Sequence, residues 1–438
     1  PGESAELTFL YTAPSYNVNT FQVPENESSI NQAIQNARST LLESQFSIID
    51  NDDFNMGPDD GIYHTMNVSQ FGDTVLVSPG YYNENIYVDK SIELLTSSND
   101  PTETTIDGNS TGKVIDVDIN FGKFTLEGFT IKNGSGDYDG VAMRILGGKI
   151  DIKNNIFKDN YDPGSGAFGG AIYSWYTSGD ITNNTFSQNS AAYGSVVRLN
   201  QGAINFYNNT LFDNSTNTFG NVYVRNTNHR IINNIIWNPY SSEDFQAIQL
   251  NDNPTVEYNI IRNGFDGLGN LNVDPNFVYL GIDKDFGELF PYKIYSNSIA
   301  LNSGDPDLDN DGVTYELDSD DQDADGSRLD IGAKHDIVTT MSDARNLPLE
   351  SFITLAGVVT TQDRGNANSI AHTVQNETGA ISFYIEESAL ELEVGDFILI
   401  SGNLGEYGDN LHIYPEDDSQ IEVSSKDLPL PEIKTLTL

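Results

Sequence analysis

The chain has 438 residues, with 21 Lys and Arg against 65 Asp and Glu for a net charge of −44, together with 48 Asn and no Cys. That charge excludes a nucleic-acid binder with a broad basic footprint, because phosphate affinity comes from Lys and Arg releasing counterions, and it argues equally against docking on anionic lipid. Zero Cys removes disulfides, thiolate metal sites and Cys nucleophiles together, while 37% hydrophobic and 11% aromatic residues suffice to build a core.

In chain order, residues 1–27 hold a strand-like run, Glu6-Leu-Thr-Phe-Leu-Tyr11, and no repeat. The opening Pro1-Gly-Glu-Ser lacks an initiator Met, as expected of a removed leader or a trimmed end. An amphipathic helix is predicted over 28–46, with Ile30, Ala33, Ile34, Ala37 and Leu41 on one face. The stretch 48–70, with Asp52, Asp53, Asp59 and Asp60, reads as an acidic loop. Apolar runs such as Val394-Gly-Asp-Phe-Ile-Leu-Ile400 fall far short of the roughly 20 residues of a membrane span, so none is expected.

The middle of the chain repeats. The unit apolar-x-apolar-x-Asn-Asn-x-Phe appears as Ile150-Asp-Ile-Lys-Asn154-Asn155-Ile-Phe157 and Asp180-Ile-Thr-Asn183-Asn184-Thr-Phe186. It returns as Ile204-Asn-Phe-Tyr-Asn208-Asn209-Thr-Leu211 and Arg230-Ile-Ile-Asn233-Asn234-Ile-Ile236, with a worn copy at Val256-Glu-Tyr-Asn259-Ile-Ile261. An earlier copy, Phe124-Thr-Leu-Glu-Gly128-Phe-Thr-Ile131, carries Gly in place of Asn. Successive Asn pairs lie 29, 25 and 25 residues apart, from Asn154 to Asn183, Asn208 and Asn233. Such a unit is too short for a strand-helix-strand crossover and alternates with the strand period, so it predicts one turn of a parallel β-solenoid. Asn tolerates left-handed backbone angles and bonds its own backbone, which suits a corner repeated in every turn.

These repeats resemble the pectin-lyase-like right-handed parallel β-helix superfamily over roughly residues 20–335. The likeness includes the opening helix Ser29-Ile-Asn-Gln-Ala-Ile-Gln-Asn-Ala37, then Gly72-Asp-Thr-Val-Leu-Val-Ser-Pro-Gly-Tyr81 and Thr105-Ile-Asp-Gly108. It implies an all-β fold, a right-handed parallel β-helix over 28–336 with an N-terminal capping helix and an acidic terminal loop. A solenoid needs such a cap, because an open end exposes unpaired strand edges. Residues 264–304 lose the Asn pair, and Asp274-Pro-Asn-Phe277 and Ser298-Ile-Ala-Leu-Asn-Ser-Gly304 resemble segments that close the last coils of relatives.

After Lys334 long strands and hairpin turns take over, as in Phe352-Ile-Thr-Leu-Ala-Gly-Val-Val-Thr360, Ala380-Ile-Ser-Phe-Tyr-Ile385 and Phe397-Ile-Leu-Ile-Ser-Gly-Asn403. Residues 337–425 are similar to bacterial extracellular OB-fold modules, with Gly357-Val-Val-Thr360, Asn376-Glu-Thr-Gly379 and Val394-Gly-Asp396 in matching places. OB-folds bind oligonucleotides or oligosaccharides, but residues 337–438 carry 4 Lys and Arg against 17 Asp and Glu and lack the positive groove for a single strand. Residues 426–438 read as a linker or terminal strand.

Two constellations suggest chemistry. Asp305, Asp307, Asp309 and Asp311 precede Gly312, and Asp318, Asp320, Asp323 and Asp325 precede Gly326. Carboxylates at alternating positions before a Gly turn wrap oxygen ligands around Ca²⁺, and so many acids in one loop repel one another without a cation. Structural calcium is therefore expected, although the EF-hand template is only partly met, since Glu316 comes too early for its bidentate position.

The second is a face of the solenoid. Aligning the turns on their Asn pairs places Arg144, Tyr173, Arg198, Tyr223 and Gln249 in one column, and Leu146, Trp175, Asn200, Arg225 and Asn251 in the column two residues on. Ile172, Val197, Val222, Val224 and Ile248 then point to the core. Aromatic rings, guanidinium groups and amides on a flat sheet suit an extended acidic polysaccharide, through stacking and bidentate carboxylate bonds. Arg144, Tyr173, Trp175, Arg198, Asn200, Tyr223, Arg225 and Gln249 are the expected glycan contacts.

A polysaccharide lyase would need a base beside a charge-neutralising group, and Arg198, Arg225 and Tyr173 fit those roles. The Arg-x-Pro-x-x-Arg signature of pectate lyases and the Gly-His-Gly and Arg-Ile-Lys segments of the β-helix glycosidases are absent, and His64, His229, His335, His372 and His412 are scattered. The expectation is a secreted or surface-attached structural and adhesive rod. It would contact glycan along one face and self-assemble through its terminal strands, with a calcium-dependent lyase as the alternative.

Overall fold

Side chains of a strand point alternately to its two faces, and every second one of Asp73–Val77 and Ile92–Thr96 is buried. The computed structural model describes residues 20–23, 29–36, 72–120, 122–136, 139–162, 168–225, 228–238, 247–278, 293–333, 336–366, 369–408, 410–426 and 428–431. The expected strand at 6–11, the acidic loop at 48–70, residues 37–46 of the predicted helix (including Ala37 and Leu41) and residues 432–438 lie outside these.

The strands stack in parallel, one above another, into a 14-stranded and an 8-stranded sheet, so the domain is a parallel β-solenoid. Register is uniform. One core column runs Val75, Leu94, Leu126, Ile152, Ile181, Phe206, Ile231 and Val256, each paired with the next turn. All eight are buried in one continuous apolar cluster. Beside it, Phe157 and Phe186 stack with ring centroids 5.0 Å apart.

The two asparagines of each pair do different work. Asn154, Asn183, Asn208 and Asn233 hold φ of 52°, 54°, 52° and 59°, turning the chain through the left-handed region where Asn is tolerated. Their neighbours Asn155, Asn184, Asn209 and Asn234, continued by Asn259 behind Tyr258, point inward as a buried amide ladder. Asn184 donates to Ile152 O at 2.9 Å, Thr182 O at 3.0 Å and Asn209 Oδ1 at 3.1 Å, while its own Oδ1 accepts from Asn155 N and Nδ2, both at 3.0 Å. A second ladder runs five residues further on, where Asn160 Nδ2 donates to Asn189 Oδ1 at 2.9 Å and Asn189 Nδ2 to Asn214 Oδ1 at 3.0 Å. Its signal in the sequence is the spacing Asn-Asn-x-x-x-x-Asn, which the Asn pairs alone do not include.

The cap is an α-helix over Ile30–Asn36 that buries Ile30, Ala33 and Ile34 completely. Glu84 closes its N-terminus, accepting from Ile30 N and Asn31 N at 3.0 Å each. The solenoid begins earlier than the repeats do. Thr20–Val23 pairs with Asp73–Val77 as the first rung, inside the segment 1–27 that carries no repeat. At the other end Asp336–Val338 pairs with Lys293–Tyr295, so this strand spans the expected boundary between 336 and 337.

The C-terminal strands Phe352–Val359, Ser369–Asn376, Gly379–Glu386, Phe397–Tyr407 and Asn410–Tyr414 pair in a ring, the first closing on the fourth, with Ile421–Ser425 added alongside. Four of the five ring pairings are antiparallel, and Gly379–Glu386 with Asn410–Tyr414 is parallel. Leu355, Val374, Phe383, Ile400 and Ile413 fill this small barrel. Its outer residues Ala356, Val358, Phe397 and Leu399 pack on Val278 and Val338, which seals the last solenoid turns with apolar surface.

Candidate functional site

The strand pairings reproduce the predicted face. Arg144 lies opposite Tyr173, Tyr173 opposite Arg198, Arg198 opposite Tyr223 and Tyr223 opposite Gln249. Two residues on, Leu146, Trp175, Asn200 and Arg225 follow one another in the same way. The column also extends toward the N-terminus through Asp116 to Tyr87, residues in turns that lack the Asn pair used for alignment.

Sharing a column does not give these side chains equal access to solvent. Tyr173 and Asn200 are each 3% exposed and Arg198 is 6% exposed, whereas Trp175 is 41% exposed. Arg198 is covered by rings. Its guanidinium carbon sits 3.5 Å from the centroid of Phe168 and 5.3 Å and 5.6 Å from those of Tyr223 and Tyr173. Its Nε meets no hydrogen-bond acceptor, and burial presses its pKa below the ordinary arginine value. Asp139 stands near enough to feel the charge of Arg198, yet burial outweighs that attraction and raises its pKa. Phe168 is itself in register, bridging in parallel to Tyr193 of the next turn, but only packing shows that its ring folds over the guanidinium of Arg198.

Arg144 is bound to its own sheet. Nε and Nη2 donate to the two carboxylate oxygens of Asp116 at 2.7 Å and 2.8 Å, a bidentate pair across adjacent turns. The groups that reach solvent are Trp175, the adjoining Tyr176 and Arg225, with Tyr223 and Gln249 half-buried beside them. Trp175 and Tyr176 lie 5.9 Å apart between centroids, and Asn251 donates to the Tyr223 hydroxyl at 2.8 Å. The open part of the face is thus an aromatic and guanidinium strip over three successive turns, backed by a buried arginine.

The acidic loop docks along the flank of the solenoid. Arg230 Nη2 donates to Leu308 O at 2.7 Å, Asp305 N to Asn233 Oδ1 at 2.6 Å, Asn208 Nδ2 to Asp330 O at 2.8 Å and Ala333 N to Thr210 Oγ1 at 3.0 Å. Of the eight predicted ligands, the structure gathers Asp307 and Asp309, and it adds Asp321; one carboxylate oxygen from each lies within 4.8 Å of the others. The remaining six serve turns and neighbours. Asp305 accepts from Asp307 N, Asp311 from Val313 N, Asp318 from Asp320 N, Asp325 from Ser327 N and Asp323 from Asp330 N, while Asp320 stays exposed. Asp321 escaped the alternating pattern because a 3-10 turn over Ser319–Asp321 shifts the phase by one residue and swings it inward. Burial raises the pKa of Asp321 and pushes Asp323 up to about 6.

A cleft of about 360 Å³ opens where the barrel meets the solenoid, lined by Lys293, Asp336, Thr354, Ser401 and Glu422 among others. Lys293 is held there by Asp336 at 2.8 Å. Among the described residues no helix is long and apolar enough to cross a membrane. No protein-family model matches the chain, and no curated protein matches it significantly.

Proposed function

We propose that this chain is a structural and adhesive β-solenoid of the cell surface or extracellular space, which contacts polysaccharide along the strip formed by Trp175, Tyr176, Tyr223 and Arg225. Within this reading its solenoid is kin to the pectin-lyase-like right-handed β-helices, and its C-terminal barrel is an OB-like module that covers the solenoid end. The observation that carries the reading is the exposure of Trp175 and Tyr176 beside Arg225 on a sheet whose backbone is braced from both sides. Flat rings stack on sugar faces, and an arginine fork pairs with a uronate carboxylate. Stacking strands hold these groups at a fixed pitch, which matches a polymer that presents the same group at intervals.

Binding ranks above lysis because Arg198 and Tyr173, two of the three groups fitted to proton transfer, are covered. A general base must come within hydrogen-bond reach of the proton it takes. Affinity electrophoresis against a panel of uronate polymers tests the reading, with retardation expected for at least one. Trp175→Ala and Arg225→Ala should each weaken it about tenfold, the loss of one good contact. Retardation by none, or retardation of both variants equal to that of the wild type, removes the strip as the contact. A steady rise in absorbance at 235 nm on any polymer would instead select the lyase alternative. Electron microscopy at high protein concentration tests self-assembly, for which end-to-end particles are expected.

A further inference from the structure

We propose that Asp307, Asp309 and Asp321 form a calcium site that fastens the acidic loop to the flank of the solenoid. Two independent observations meet there. One carboxylate oxygen from each of the three lies within 4.8 Å of the others, the span that Ca–O distances of about 2.4 Å bracket around a single ion. Asp321 is also 1% exposed, and its Oδ2 meets no hydrogen-bond donor although its Oδ1 accepts from Leu308 N at 2.8 Å. A buried carboxylate oxygen left without a partner is costly, and a divalent cation is the partner that three converging carboxylates select. Magnesium is disfavoured, since it demands near-ideal octahedral geometry and gives up its waters reluctantly, whereas calcium accepts the irregular set of oxygens that a loop offers.

The loop is already shaped for the ion. Asp307 accepts from Gly312 N at 3.2 Å, and Gly312 holds φ of 90° with open space where a side chain would stand. Leu308, between two of the ligands, is the residue whose carbonyl accepts from Arg230 of the solenoid. An ion on Asp307 and Asp309 therefore braces the contact that ties loop to coil, and its binding energy adds to the stability of the turns around Asn208 and Asn233.

Calorimetric titration of the full chain, stripped with EGTA and kept in about 150 mM KCl to screen diffuse binding to its many acids, tests the site. One saturable calcium ion is expected there, with magnesium weaker. Asp321→Asn and Asp309→Asn should each lower affinity at least about tenfold, while Asp318→Asn and Asp325→Asn, whose carboxylates serve local turns, change it by less than about twofold. Asp309 is exposed, so its variant keeps the test valid should Asp321→Asn fail to fold. Calcium should raise the melting temperature of the wild type and leave that of Asp309→Asn nearly unmoved. Absence of saturable binding, unchanged affinity in both variants, or equal affinity for magnesium overturns the assignment.

Discussion

The corners of the solenoid and the acidic loop both bury polar side chains, and they satisfy them in opposite ways. Asn184 is fully buried, yet its amide donates three times and accepts twice, its partners being the Asn residues of the adjacent turns and backbone of its own turn or the one before. Asp321 is equally buried and has one oxygen met by Leu308 N and one met by nothing. An amide carries both donor and acceptor, so a stack of them completes itself. A carboxylate only accepts, so a group of them must be completed from outside. Repetition alone is therefore enough for the corners and insufficient for the loop.

The largest test of that contrast is Asn209→Ala. It strips partners from Asn184 N, Ile181 O and Tyr207 O at once. At about 1–3 kcal/mol for each of Asn184 N and Ile181 O, and less for Tyr207 O, which still accepts from Asn183 N, the stability loss should be about 3–5 kcal/mol in urea unfolding. A loss below about 1 kcal/mol would show that the ladder is not what holds the corners.

The solenoid interior also buries His229 completely, and its Nδ1 accepts from Ile204 N at 3.1 Å. Burial presses its pKa down to about 4 from 6.5. Because the folded value is depressed, its contribution is fully present above pH 6.5 and is lost as pH falls toward about 4. That loss is about 3 kcal/mol. Asp323, pushed up to about 6, acts with the opposite sign, so the wild type must be compared with His229→Gln across this range. A parallel pH dependence in the two proteins would refute the histidine as the source.

In the loop, Asp321→Asn should change sign with calcium. In EGTA it removes an unpaired buried charge and should stabilise by about 1 kcal/mol; in saturating calcium it should destabilise by at least as much. Melting temperatures measured in both conditions decide, and the same sign in each would break the contrast drawn here. The smallest effect distinguishes the two members of a corner pair. Asn183→Ala should cost about 1 kcal/mol, because a Cβ without a local hydrogen bond resists a φ of 54°, while Asn183→Gly should stay within a few tenths. Equal costs would mean that Asn183 is kept for its side-chain contacts and not for its backbone angle.

Much of the architecture was legible in the sequence because a solenoid is nearly one-dimensional. Each turn touches chiefly the next, so a period of 25 residues already states which residues become neighbours, and the column from Arg144 to Gln249 followed from counting. The barrel was legible as strands and turns. Its ring closure, Phe352–Val359 onto Phe397–Tyr407, joins residues far apart along the chain, which no local pattern states.

What the residues determined alone was therefore type and register: strands from alternation, corners from Asn, neighbours from the period. Access to solvent was decided only in three dimensions. Arg198 sits in the predicted column, but the ring of Phe168, from the corner of the preceding turn, covers it. Asp321 looked out of phase until a 3-10 turn brought it beside Asp307 and Asp309. At Arg198 the deciding contact is the direction in which an in-register ring turns; at Asp321 it comes from a segment without periodicity, whose position is set by packing against the finished coil.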